Sequence, residues 1–369
     1  MRAHSDQLAE VLQGSFSSRL IADVFHGTER VKENLDLTGW SQGGDLTAEV
    51  KESGRATVVY QSIAGESLKP LGTEGILSPF RARLFLLMEI SEGAFSETIK
   101  IGWATVTDVP YARDHYSDIA GKRIVVASVV DLVFQSLDED VKAWGFRSEE
   151  QPPSLTSAYA ELRRITNMPV IETLPDRAIP QSITYEASKG GRLKGVQTLA
   201  GLFDGRAVVN PAGAWTIVPH NPGPVVGTLS IGPDGTVTDV PYSVTTEGVF
   251  NCVIGNFETA DRTPIFSIAE LTIGPLATSN GERTEWVGPN DLVRTQAAGD
   301  SWVKAVLDRS TRTQQYDVAI QCVVNPLIEL GDMLEVVGND APLKGQVVKI
   351  DRSNAALMNV TLRAERSLR

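Results

Sequence analysis

At 369 residues the chain is too long for a single core, and at roughly 150 residues per domain it divides into two or three. Hydrophobic residues at 42% and charged residues at 22% exclude bulk disorder and a fibrous chain. The 34 Lys and Arg against 46 Asp and Glu leave a net charge of −12, which disfavours any role that grips nucleic acid through its phosphates.

Residues 5 to 13, SDQLAEVLQ, predict a short helix with Ser5 as cap and Leu8, Val11 and Leu12 at helical spacing, an arm or anchor. From Ser18 to Ala127 the texture is that of strands: RLIADVF, LTAEVKES, RATVVYQSI, RARLFLLMEI, ETIKIGWATVTDV and KRIVVAS, parted by Gly, Ser and Pro clusters. The runs 81–90 and 97–109, joined by Ser91-Glu92-Gly93-Ala94-Phe95-Ser96, predict a long antiparallel hairpin reaching beyond its own domain, a candidate for pairing with another subunit.

Ser128 and Asp131 are spaced as a helix start signal, and Val130, Val133, Phe134, Leu137, Val141 and Trp144 follow at three-, four- and seven-residue steps, predicting an amphipathic helix. A second helix is expected after Ser154, carrying Leu155, Ala158, Tyr159, Leu162 and Ile165 and closing before Met168-Pro169. Residues 182 to 218 read as strand, helix and hairpin: SITYEA, then RLKGVQTLAGLF, then two β-branched runs turning at Pro211-Ala212-Gly213.

The last third returns to β, with VFNCVIGN, IFSIAELTI, QQYDVAIQCVV, DMLEVVG, GQVVKID and ALMNVTLRA as strands. One helix from about Ala297 to Arg309 interrupts them, with Ala298, Trp302, Ala305 and Val306 facing inward. In the final strand Met358, Val360 and Leu362 alternate with polar residues, the mark of a half-buried sheet. The expected fold is mainly β with an α+β insert: an arm over 1–16, a first β-barrel or sandwich with a helix over 17–150, a small strand-helix-hairpin unit over 151–238, and a second β domain over 239–369.

The chemistry-bearing motifs are absent: no G-x-S-x-G elbow, HExxH helix, Walker A loop, G-x-G-x-x-G turn or EF-hand loop occurs. Cys252 and Cys322 lie far apart and read as reduced, buried small hydrophobes. His4, His26, His115 and His220 are scattered without metal-ligand spacing. The acidic run Asp138-Glu139-Asp140 is expected on the solvated side of its helix, and Gly190-Gly191-Arg192 reads as a flexible joint that could also cradle an anion. Trp144, Trp215 and Trp302 fit core positions, whereas Trp40 and Trp286 sit among turn residues, open to stacking on a sugar. No catalytic residue, cofactor site or metal ligand is assigned, and no apolar run reaches the ~18 residues of a membrane helix. The N-terminal segment has no apolar leader, so folding is expected in a cytoplasm.

Several segments, taken in order, resemble the baseplate-hub or tail-tip minor tail proteins of long-tailed phages infecting actinobacteria. They are the opening MRAHSDQLAEVLQGSFSSRLIADVF; VKENLDLTGWSQGGDLTAEV, which lacks that family's proline before Gly39; the helix and hairpin of 192–219 with Asn210-Pro211-Ala212-Gly213 and Pro219; TEGVFNCVIGNFE; and VNPLIELGDMLEVV. In the last, Asn325-Pro326 ends a strand, and Gly331-Asp332 supplies the turn from which the next begins.

The resemblance implies a non-enzymatic structural hub: a homotrimer whose two tube-like domains per chain close a ring continuous with a sixfold tail tube. Such a hub joins the distal tail protein, the tape measure protein and the receptor-binding or other minor tail proteins, and DNA meets it only in transit during ejection. Its place is the virion's tail tip, after assembly in the host cytoplasm, with no membrane insertion. The chain stops at Arg369 with no lysin or fibre extension, so wall digestion and adhesion are expected of separate proteins. The competing reading is a carbohydrate-binding tail or surface module resting on Trp40 and Trp286.

Overall fold

The computed structural model describes residues 1–62, 65–119, 121–220, 223–232, 235–240, 250–259, 261–274, 276–290, 292–312, 316–338, 342–353 and 356–364. Helix α1 (Asp6–Val11) is capped by Ser5, whose hydroxyl accepts from the Leu8 amide at 3.1 Å. Its Leu8 and Val11 are buried in the first core, which makes it a plug rather than a free arm.

Six strands follow: β1 (Ser17–His26), β2 (Glu29–Asp45), β3 (Glu52–Gln61), β4 (Ala82–Glu92), β5 (Phe95–Ile119) and β6 (Lys122–Ser136). They pair in the order β1-β4-β5-β6-β3-β2, and β2 pairs back onto β1, so this part of the sheet closes into an antiparallel barrel. Along β4, Ala82, Leu84, Leu86, Met88 and Ile90 are buried and the residues between them are not. That period of two comes from the pleat, and each fully buried Leu, Met or Ile contributes about 1.5–3 kcal/mol. Beyond the barrel's rim only β5 and β6 continue, pairing from Tyr116↔Val125 to Ile119↔Lys122 as a two-stranded ribbon with Tyr116 exposed.

Two segments differ from the sequence expectation. The segment 128–136 is the end of β6, not a helix, and the short helix α2 (Asp138–Ala143) begins just after it. Val130, Leu132 and Phe134 are buried in alternation, and the β-branched neighbours Val129 and Val133 favour the strand. LTAEVKES is largely a turn leading into β3, and the true strand, β2, lies before it. Left-handed Asn34 and Gly39 and register shifts on both its edges break the alternation of β2 that would have revealed it.

The central unit holds α3 (Ala158–Thr166), α4 (Gly191–Gly201) and the hairpin β7 (Gly205–Val209) and β8 (Trp215–Pro219), packed around Tyr159, Leu162, Val196, Leu199 and Trp215. Helix α3 is capped by Ser157 and ends at left-handed Asn167 before the expected Met168-Pro169 stop. SITYEA forms no strand: Tyr185 makes one bridge to Glu150 and stacks on Phe146 at 4.9 Å. The β7–β8 turn follows its sequence, with Asn210 Oδ1 accepting from the Ala212 and Ala214 amides at 3.0 Å and Gly213 left-handed.

In the final third, β9 (Gly227–Ser230) and β10 (Val237–Asp239) precede an inserted unit of β11 (Cys252–Glu258), β12 (Pro264–Glu270), β13 (Thr284–Val287) and α5 (Gln296–Arg312). Then come β14 (Tyr316–Val323), β15 (Met333–Val337), β16 (Leu343–Ser353) and β17 (Leu357–Ala364). Strands β9-β15-β16-β17-β14-β10 form one run, and a bridge between Ile231 and Val237 joins its two ends into a second barrel. Met358, Val360 and Leu362 point into its core as their alternation requires. Strands β9 and β10 precede the expected boundary at 238 or straddle it, yet their hydrogen bonds go to the C-terminal barrel. On α5 the inward residues are Gly299, Val303 and Leu307, flanked by Ala298, Trp302 and Val306; Ala305 is exposed, contrary to expectation.

The fold is therefore mainly β, with two six-stranded barrels fused into one twelve-stranded sheet. The fusion is a ladder in which Ser41–Asp45 of β2 pair with Lys349–Ser353 of β16. Cys252 and Cys322 are both free and buried, as their setting predicts.

Candidate functional site at the junction of the barrels

The residues that carry unusual chemistry gather where the barrels meet. Arg352, on the shared ladder, is 3% exposed and donates through Nη2 to the carbonyl of Ile328. Arg2 approaches the same turn from the other barrel, donating through Nη1 to Pro326 O at 2.5 Å and Ile328 O at 2.9 Å, and through Nη2 to Ile101 O at 3.1 Å. Planar guanidinium groups suit this task, because each can satisfy several carbonyls at once and stays charged when buried. Glu52 lies between them and accepts from Gln42 Nε2 at 3.0 Å. Burial pushes the Glu52 carboxyl up, opposed by the charges of Arg2 and Arg352. Burial and the neighbouring Arg2 cation bring Arg352 down to about 9.

The turn held by these arginines contains the residues singled out in the sequence. Asn325 Oδ1 accepts from the Leu327 amide at 2.9 Å, and Pro326 offers its carbonyl to Arg2. Gly331 has φ of +90°, and a Cβ there would lie 2.6 Å from Val218 Cγ1, so glycine is required on both counts. Asp332 Oδ2 accepts from the Glu329 amide at 2.8 Å, and its Oδ1 lies 2.5 Å from the Met1 amino group. A cavity of about 400 Å³ opens beside the turn, lined by Trp103, Val218 and Leu330 and by the polar side chains of Arg2, Glu52 and Gln346.

The β2–β3 turn is the second half of the junction. The Leu46 amide donates to Val348 O in the second barrel at 2.8 Å, and its carbonyl accepts from Arg206 of the central unit at 2.9 Å. Glu49 pairs with Lys142 at 2.9 Å, and the Lys51 amide donates to Asp138 Oδ2 at 2.7 Å. Asp138, expected on a solvated face, is 1% exposed and also accepts from the Ser136 hydroxyl. Asp140 is likewise engaged, pairing with Arg83 at 2.7 Å and accepting from Thr105 at 2.9 Å. The acidic run is thus a structural clasp, and its spacing alone did not reveal this because its partners come from distant strands.

Asp45 provides a pH handle on this turn. Burial alone would push its carboxyl up, but hydrogen bonds from Thr47 and the Lys349 ammonium outweigh that and hold it at about 2, against 3.8 for an ordinary Asp. Its stabilisation is complete above the unfolded value and is lost as pH falls through the folded one, a difference of about 2 kcal/mol. Between pH 5 and pH 2 the Asp45→Asn variant should therefore lose less stability than the parent in parallel urea titrations. Identical pH slopes would contradict the assignment.

Other sequence candidates fall elsewhere. In the 91–96 hairpin, Ser91↔Ser96 and Glu92↔Phe95 are paired around Gly93-Ala94, and Ser91 also pairs with Ser17 of β1. Trp40 is 3% exposed and belongs to the first core, whereas Trp144 is exposed, the reverse of expectation; Trp286 is exposed. The space before Gly191 is filled by Glu186 O, 2.6 Å from a would-be Cβ, and Arg192 donates to Ile165 O at 3.0 Å, so this helix start holds protein groups. Among the described residues no group of three or more His, Cys, Asp or Glu could hold a metal ion, and no helix is long and apolar enough to cross a membrane.

No protein-family model and no curated protein matches the sequence. Solved structures do match in fold. The tail protein from Neisseria meningitidis MC58 superposes with a TM-score of 0.60 at 10% identity, covering 94% of this chain and 96% of that one. The prophage MuSo2 43 kDa tail protein from Shewanella oneidensis gives 0.57 at 11%, covering 93% and 98%. Prophage tail protein gp18 from Listeria monocytogenes EGD-e gives 0.53 at 11%, covering 95% of each. The chain shares the fold of these tail proteins over nearly its whole length.

Proposed function

We propose that the chain is a structural, non-enzymatic hub of a phage tail tip, of the kind found in long-tailed phages of actinobacteria. The observation that carries this reading is the pair of six-stranded barrels locked side by side by the ladder between 41–45 and 349–353. Three chains with two barrels each supply six positions around an axis, the number needed to continue a sixfold tube, and a closed ring removes strand edges that would otherwise be exposed. The β5 edge beyond Thr105, the projecting ribbon and the 91–96 turn are the strands offered to neighbouring copies. In this reading the ring joins the distal tail protein, the tape measure protein and the receptor-binding tip proteins. It stands in the virion after assembly in the host cytoplasm and conducts DNA at ejection.

The test is a reconstruction of tail particles without imposed symmetry: three copies enclosing one channel are expected, and six identical copies or peripheral copies would defeat the model. A conduit must also release DNA. With a net charge of −12, the purified protein should show no duplex binding at physiological salt in fluorescence anisotropy. Micromolar affinity with a steep salt slope would count against the conduit. The carbohydrate reading loses Trp40 to the core and rests on Trp286 alone; glycan binding abolished by Trp286→Ala would restore it.

A further inference from the structure

The inserted unit between β10 and β14 is a sheet with one helix, and the helix covers only one of its faces. Val253, Phe257 and Ile265 point to α5, where Gly255 and Gly299 allow close approach: Cβ atoms there would lie 2.6 Å from Val303 and 2.5 Å from Ser267. The opposite face should be polar if it met only water. Instead Ile268, Ile254 and Trp286 lie directly across from one another on the three strands, and Phe266 stands two residues along from Ile268. Phe266 is 56% exposed, Ile268 62% and Trp286 65%. Rigid strands display these side chains, so no rearrangement is needed to present them.

Charge selects what this face receives. The outward positions of the three strands carry two carboxylates, Glu258 and Glu270, and no cation. They occupy opposite ends, bracketing the apolar band. Anionic lipid and nucleic acid are repelled by such a bracket, and the overall charge of −12 adds to the effect. Three strands about 4.8 Å apart and seven residues at about 3.4 Å each make a face of roughly 300 Å². A stable free-standing dimer needs about 800 Å² per partner. A second copy docked here alone would fall short, whereas a segment already tethered within a larger assembly needs no more.

We propose that this face docks an amphipathic segment of a different protein of the tail, with an apolar stripe that covers Phe266, Ile268 and Trp286 and with Lys or Arg at its ends facing Glu258 and Glu270. The inference rests on the tail reading above, and it adds a specific partner chemistry to a unit that lies outside both barrels.

Two measurements test it. With the purified full chain, a synthetic amphipathic Leu/Lys 14-residue peptide should bind at least tenfold tighter than its Leu/Glu counterpart. Phe266→Ser should abolish that binding, and Glu258→Lys with Glu270→Lys should reverse the preference. Because these side chains are exposed, circular dichroism of the variants should match the parent. Equal affinity for the two peptides, or binding that survives Phe266→Ser, overturns the proposal. In tail particles, a benzophenone amino acid at position 266 should crosslink to another polypeptide through a Lys- or Arg-containing peptide, while the same group at the 75%-exposed Phe80 serves as control. A crosslink to a second copy, or none at 266, overturns the docking assignment. Absence of the chain from the particles would instead sink the tail reading, and the peptide measurement would still decide the chemistry of the face.

Discussion

Arg352→Ala is expected to destabilise the joined barrels by about 3–5 kcal/mol, the range for removing one member of a buried, hydrogen-bonded charge group. The substitution leaves Ile328 O without its guanidinium donor and Glu52 with Arg2 as its one remaining buried arginine. Lysine should not rescue it, since an ammonium is more strongly hydrated than a guanidinium and costs more to bury. A protein of several cores need not unfold in one step, so the readout is the urea midpoint together with protease cleavage near 325–332. An unchanged midpoint and an uncut turn would show that Arg352 does not hold the junction.

Asp138→Ala should cost about 1–3 kcal/mol, because it strands the Lys51 amide inside the protein, while the Ser136 hydroxyl keeps Glu52 O as an alternative acceptor at 3.2 Å. A solvated-face carboxylate would give a change within about 0.5 kcal/mol, so a thermal melt distinguishes the two settings. The pH dependence has its own sign. Burial holds the Asp138 carboxyl above its ordinary value despite the hydrogen bonds it accepts. Protonation therefore comes earlier in the folded chain than in the unfolded one, and acid relieves the cost of this group. Acid sensitivity at the junction should come from Asp45 instead, and the Asp138→Asn variant should retain it.

The legible parts of the fold were those governed by local spacing. Met358, Val360 and Leu362 announced a strand, Ser5 announced a helix start, and the Asn210 turn carried its own geometry. The strand through 128–136 is ambiguous in sequence because its apolar residues satisfy both a three-four and a two-residue rhythm over so short a span, and β-branching favours the strand. Strand β2 was hidden by its own irregularities. The junction was only half visible: Asn325, Pro326, Gly331 and Asp332 could be marked as a turn. Arg2, Glu52 and Arg352, separated by tens to hundreds of positions, have nothing in their immediate sequence to show that they meet. The burial of Asp138 is hidden in sequence for the same reason. Long-range ion and hydrogen-bond partners are set by topology, which composition and periodicity do not encode.

Domains joined by a linker move relative to one another by default. Here the end of β2 stays paired to β3 of its own barrel on one edge and to β16 of the second barrel on the other, so the barrels meet at a continuous ladder with no linker at which the pair could bend. Any swing of one barrel against its neighbour must break the five residue pairs from Ser41↔Ser353 to Asp45↔Lys349 as a group. In a ring built from such chains, the joint within each chain is stiff and the joint between chains is the compliant one. In the proposed trimeric ring, opening, tilting or widening of the channel would then proceed in steps of one chain, with each pair of barrels carried along as a single rigid stave.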